Sequence, residues 1–333
     1  MSAPTLLLAF DGSPAAAAAV RAAGSLFPAA NAVVATVRRA PVTPGQAAAL
    51  ARIAVPDAVI AGGLAALDRA AEEEAKVVVA RGAEIASAAG LRADTAIVDA
   101  AGTPWRAIKQ LAGERDAAIV VCGSRGLGPF SRAAIGSTSS GLLHHADRPV
   151  LVVPEGSGGL AGPVIVGYDG SKASAAAVTL AAERFPSRRK IVVNVWESLV
   201  QHSLGARALG SAPIESARSI TEELDACFDA IATDIAEQGA GLAQGGEEPA
   251  IPRAAEAAGS AWHGLLAAAR AAGAALIVVG SRGRGAVAST VLGSVSSGLV
   301  HNADVPILVV PDPAVISGRA PAVEPDDRSS PGA

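Results

Sequence analysis

Short apolar runs recur along the chain, separated by longer Ala-rich stretches in which apolar positions return with helical spacing. In the first part of the chain these runs predict strands near Leu6–Phe10, Val33–Val37, Thr95–Val98, Ala118–Cys122 and Val150–Val153. In the second part they predict strands near Val164–Tyr168, Ile191–Val195, Leu276–Val279 and Ile307–Val310, with a poorly defined one near Pro249–Ile251. A strand, a long helix and another strand form the right-handed crossover that builds a parallel sheet covered on both faces. The expected fold class is therefore α/β: two tandem doubly wound domains, each a five-stranded parallel sheet between helices.

The chain repeats itself. "LLLAFDGSPAAAAAV" from Leu6 matches "VIVGYDGSKASAAAV" from Val164, and "GSRGLGPFSRAAIGSTSSG" from Gly123 matches "GSRGRGAVASTVLGSVSSG" from Gly280. The offset is 158 residues at the first landmark and 157 at the second, so one residue is lost in between. "AGTPWRAI" beside "AGSAWHGL" and "HHADRPVLVVPE" beside "HNADVPILVVPD" extend the likeness through the whole unit, which indicates a duplication. The predicted organisation is a first domain over 1–154, a Gly-rich linker over 155–162, a second domain over 163–311 and a disordered tail over 312–333. The stretch "GGEEPAIPRAAEAAGS" carries prolines where the first copy has "ADTAIVDAAGT", so the third strand of the second unit is expected to be ragged.

Composition narrows the function. Half of the 333 residues are hydrophobic, 3% are aromatic, and the net charge is -4 with a pI near 5.8. The arginines are scattered rather than striped, so no footprint for nucleic acid is present. The two cysteines, Cys122 and Cys227, make no disulfide framework and fit a reduced, cytoplasmic protein. The first residues lack the basic leader of a signal peptide, and no run is long and apolar enough to suggest a membrane span.

Each repeat delivers a buried strand to Gly-x-x-Gly, nine residues and then Gly-Ser: Gly123, Gly126, Gly136 and Ser137 in one, Gly280, Gly283, Gly293 and Ser294 in the other. Glycines let backbone amides approach a ligand, and Gly-Ser opening a helix adds unpaired N–H groups and a hydroxyl, a combination suited to phosphate. In a doubly wound sheet such a guest lies beyond the carboxyl ends of the strands, where the first strand also brings Asp11 and Asp169. Those carboxylates either bind ribose hydroxyls, a base or a divalent ion, or form Asp-Gly-Ser turns that cap the following helices. The loops lack the Lys-Ser/Thr of a Walker motif. Arg125 and Arg282 inside them either steer phosphate or face solvent. His144 and His301, equivalent in the two copies, fit helix ends or an interface better than acid-base work, and no metal-ligand cluster is evident.

With these motifs the chain resembles a tandem universal stress protein of the ATP-binding branch from about Leu6 to Pro311. The resemblance implies ATP, with or without magnesium, at up to two sites per chain. It places Asp11 and Val37 on the adenosine of the first site, Cys122 beside the nucleotide, and Gly123, Gly126, Gly136 and Ser137 around the phosphates and ribose. Asp169, Val195, Val279, Gly280, Gly283, Gly293 and Ser294 take the same roles in the second site. Ala9 and Gly167 stand where some members have proline. With no placed base and no metal constellation beside the loops, no dedicated enzyme is expected beyond weak ATP hydrolysis, and the leading reading is a regulatory or stress-response role with a protein partner still to be identified. A slow ATPase and a structural dimerisation module without ligand are the alternatives. Val150–Val153 is expected to pair with Ile307–Val310 as an intrachain pseudo-dimer, leaving a further homodimer open.

Overall fold

The structure, a computed structural model of the chain, describes residues 4–39, 57–100, 102–126, 135–145, 147–157, 160–198, 214–244, 246–257, 259–283 and 292–316. The first half runs β1 (Thr5–Ala9), α1 (Pro14–Leu26), β2 (Asn31–Arg39), α2 (Asp57–Ala88), β3 (Arg92–Ala100), α3 (Pro104–Glu114), β4 (Ile119–Gly123), α4 (Ser137–His145) and β5 (Val150–Val153). The second half repeats it as β6 (Val164–Gly167), α5 (Lys172–Arg184), β7 (Lys190–Glu197), α6 (Ile214–Gly241), β8 (Ile251–Ala257), α7 (Ala261–Ala272), β9 (Leu276–Gly280), α8 (Ser294–Asn302) and β10 (Ile307–Val310). A short helix α9 (Pro313–Ile316) follows.

The two halves share one sheet of ten strands in the order β3-β2-β1-β4-β5-β10-β9-β6-β7-β8. Within each half every pairing is parallel; β5 and β10 meet antiparallel, with Leu308 opposite Leu151 and Val309 opposite Val150. The expected intrachain pairing of the last strands is therefore present, and it makes one sheet of the expected two. Alternation along the strands builds two apolar layers. Leu6, Leu8, Leu151 and Leu308 face one layer, while Leu7, Val150, Val152 and Ile307 face the other, so both layers cross the junction between the halves. The helices α1, α2, α5 and α6 cover the first face, and α3, α4, α7 and α8 cover the second.

Two expectations change. The third strand of the second half is regular, pairing with β7 from Ile191 opposite Ile251 through Glu197 opposite Ala257. Pro252 is tolerated because β8 is an outermost strand, which turns only alternate amides toward its one neighbour. The predicted tail begins with α9, whose entry is held by Ala314 N–H donating to Asp312 Oδ1 at 2.8 Å. Residues 317–333 of that tail, and Gly158 of the linker, lie outside the described residues.

Candidate functional site

The strand order reverses direction between β1 and β4, so the loops leaving these two strands diverge to opposite faces and open a crevice. The chain leaves β1 in a fixed way. Phe10 N–H still bonds to Ala35 O at 2.9 Å, and Thr36 Oγ1, buried on β2, donates to Phe10 O at 3.0 Å. Gly12 then takes φ = 81°, a conformation that favours glycine, and Asp11 Oδ1 accepts from Ser13 N–H at 3.0 Å. Ser13, not Asp11, caps α1, its Oγ accepting from Ala16 N–H at 3.1 Å. The second half repeats the device with Asn194 Nδ2 on Tyr168 O at 2.7 Å, Gly170 at φ = 81°, and Asp169 Oδ1 accepting from Ser171 N–H at 3.0 Å.

One carboxylate oxygen is thus spent on the turn, while the other meets the glycine loop. A methyl group added at Gly126 would stand 2.5 Å from Asp11 Oδ2, and one at Gly283 would stand 2.5 Å from Asp169 Oδ2. The described ends of each loop are tied together. Gly136 N–H donates to Ser124 O at 2.9 Å and Gly293 N–H to Ser281 O at 2.8 Å, while Ser139 Oγ and Ser296 Oγ donate to Gly123 O and Gly280 O at 2.6 and 2.8 Å. Gly123 and Gly280 admit close packing instead: a Cβ there would meet the backbone of Ala15 at 2.8 Å or of Ala173 at 2.7 Å. The N-cap of α8 is Gly293, which has no side chain to occupy the leading amides of that helix.

In the first half these elements enclose a cleft of about 570 Å3. All seven first-site residues, Asp11, Val37, Cys122, Gly123, Gly126, Gly136 and Ser137, line it. Arg125 lines it too, and α2 closes one side with Ala71, Glu74, Ala75 and Val78. Cys122 forms part of the floor. Burial pushes its thiol up to about 12, against a smaller opposing effect of the Ser139 hydroxyl, so it stays protonated at neutral pH. At the mouth Arg38 bonds Asp99 at 2.6 Å and Asp68 at 2.9 Å, which raises the guanidinium's pKa and holds the Asp99 carboxyl below its usual value.

The second-site residues are brought together in the same order. Asp169 meets Gly283, Gly293 returns to within 3.8 Å of the Gly283 nitrogen as measured from an added Cβ, and Val279 packs beside Gly167. Ser294 opens α8, and Val195 of β7 packs against α7, where a Cβ at Gly264 would come within 2.6 Å of it.

Residue-type reasoning missed Thr36, Asn194, Ser139 and Ser296, which fasten the strand ends and loops. For the two serines the signal was available, since "SSG" recurs at the same place in both copies. The described histidines keep to helix ends: His301 Nδ1 lies 2.7 Å from Ser297 O, and His145 stacks on Trp105 at 4.5 Å between centroids. Among the described residues no three His, Cys, Asp or Glu side chains converge as a metal site, and no helix is long and apolar enough to cross a membrane.

The universal stress protein family model matches residues 4–154 and again 161–311. A universal stress protein of Mycolicibacterium smegmatis is 34% identical over 202 residues, covering 59% of this chain and 62% of the relative. One of Mycobacterium tuberculosis strain H37Rv is 33% identical over 221 residues, covering 60% and 62%. The matched stretch thus spans about 62% of the length of these curated relatives. Among solved structures, a universal stress protein from Archaeoglobus fulgidus DSM 4304 shares the fold at 20% identity, with a TM-score of 0.58 over 92% of this chain and 98% of that one. With its two matched halves, the chain belongs to the universal stress protein family.

Proposed function

We propose that the chain is an adenine-nucleotide-binding regulatory protein of the stress response, taking ATP in the first-half cleft and changing the surface it offers to a protein partner when the nucleotide is bound. The observation that carries this reading is the meeting of the Asp11 carboxylate with Gly126 inside a cleft of about 570 Å3, within the 300–1,000 Å3 range typical of small-molecule sites. The base and ribose would lie on the apolar side between Val37 and Cys122, with Asp11 accepting from ribose hydroxyls. The polyphosphate would lie over Gly126 and Gly136, against the leading amides of α4. Magnesium would enter already bound to the phosphate oxygens, with Asp11 kept on the ribose. The output is a population shift: nucleotide bridging the β1 and β4 loops favours one arrangement of them, and only a partner that discriminates between arrangements reads it.

The test is to denature freshly purified protein, identify any released nucleotide by chromatography, and measure the melting temperature of stripped protein with and without ATP and magnesium. Release of an adenine nucleotide, or a saturable rise in melting temperature with ATP, supports the reading. Neither effect at millimolar ATP would contradict it.

A further inference from the structure

The repeat lets the two clefts be compared wall by wall, because both long helices are anchored at the same point. Gly82 on α2 has room for no Cβ against Phe10 and Val34, and Gly239 on α6 has none against Tyr168 and Val192. Counting from these glycines, Ala71, Glu74 and Val78, which line the first cleft, correspond to Phe228, Ile231 and Ile235 in the second half. A methyl and a carboxylate are thus replaced by a phenyl ring and a branched alkyl group. At the mouth, Arg38 pairs across the sheet with Asp99, whereas the equivalent register position pairs Trp196 with Glu256. Trp196 stacks on Phe228 with centroids 6.5 Å apart and donates from Nε1 to Asp229 Oδ1 at 3.1 Å, which fixes the ring pair in place. The floor changes as well. Ala9 and Cys122 give way to Gly167 and Val279, and the space of the missing methyl is taken up, since a Cβ at Gly167 would meet Leu265 Cδ1 at 3.0 Å and Val279 Cγ1 at 3.1 Å.

On the long helix, at the mouth and at Val279 the second half carries larger or more apolar groups, while Gly167 loses a methyl whose space Leu265 and Val279 take up; the Asp169 and glycine-loop geometry is retained. We infer that the two clefts are not equivalent: the chain takes a single ATP, in the first half, and Phe228 with Trp196 narrows the second cleft against it. This inference rests on the nucleotide reading above and assigns Phe228 and Trp196 as the residues that set the stoichiometry.

Equilibrium dialysis of the stripped, full-length protein against radiolabelled ATP with magnesium tests it. The wild type is expected to bind close to one ATP per chain, with affinity falling at least tenfold in Asp11→Asn and staying within twofold in Asp169→Asn. Phe228→Ala combined with Trp196→Arg is expected to raise the capacity toward two per chain, with the melting temperature recorded to show that the variant is folded; both rings are only half-buried, so their loss should be tolerated. Two equivalent sites in the wild type, or one site abolished by Asp169→Asn and kept in Asp11→Asn, would overturn the inference. A folded double variant that still binds one ATP would overturn the role given to the two rings. Absence of ATP binding to every variant would instead overturn the nucleotide reading on which the inference stands.

Discussion

Gly126 and Gly283 are glycine because of a neighbour rather than because of their own backbone, which lies outside the left-handed region. A Cβ at either would crowd a carboxylate whose other oxygen is tied to the Ser13 or Ser171 amide, so the Asp would have to leave its turn or its place in the cleft. Gly126→Ala is expected to leave the fold intact and to weaken ATP about tenfold, or ~1.4 kcal/mol, as read by titration of the folded variant. Cys122 makes a second prediction. With its folded pKa near 12 and an unfolded value near 9, the buried thiol favours the native state up to about pH 9 and loses that contribution as the pH rises toward 12. Iodoacetamide near pH 8 should therefore label exposed Cys227 and spare Cys122 until the protein is denatured. Equal labelling of both in folded protein would show that the floor of the cleft is open. The glycines and aspartates stood out in the sequence because their spacing is the same in both copies, and the close approach of each Asp carboxylate to a glycine shows what that spacing serves. It could not divide the labour inside "DGS", where the serine caps the helix and the aspartate is left for the cleft.

At the level of elements, the helices that open onto the site are locked by tryptophan. Trp105 on α3 lies on Gly141 of α4, and Trp262 on α7 lies on Gly298 of α8, so closely that a Cβ on either glycine would fall within the indole ring. Gly141→Ala would gain about 1 kcal/mol of helix propensity, but overpacking costs about 1–3 kcal/mol, and the overlap with the ring puts this site at the high end. A lower melting temperature for Gly141→Ala is the expected outcome, and an unchanged or higher one would show that α4 shifts freely. The central strands were readable from apolar runs because β1, β4, β5, β6, β9 and β10 are buried on both faces. β8 was misjudged for the converse reason. An outermost strand tolerates Pro252 and exposes Ile251, so its pattern resembles a loop.

The whole molecule depends on the junction of β5 and β10. Leu151 and Leu308, each fully buried and directly opposed, continue one apolar layer from half to half. Phe27 packs on Phe185 at 5.2 Å, and Arg188 ties the first half to the linker through Ser25 O at 3.2 Å and Leu160 O at 2.7 Å. Leu308→Ala is expected to cost about 2–5 kcal/mol and to weaken the coupling between the halves, giving a lower and broader melting transition. A sharp transition at the wild-type temperature would show that the halves do not rely on this contact. The duplication and the pairing of the last strands were legible because the two strands share one apolar pattern. The inequality we infer for the clefts was not, because much of it turns on α2 and α6, where the copies diverge, and the correspondence between the two helices is fixed only by the packing of Gly82 and Gly239.

Asp11 and the ends of the first glycine loop are the groups we propose to hold the nucleotide. The most direct test is a calorimetric titration of stripped, full-length protein with ATP and magnesium, run beside Asp11→Asn, which keeps an oxygen for the Ser13 amide and removes the charge. Saturable binding by the wild type, weakened at least tenfold in the variant, is the predicted result. No heat of binding in the wild type, or equal affinity in both proteins, would show that Asp11 holds no nucleotide.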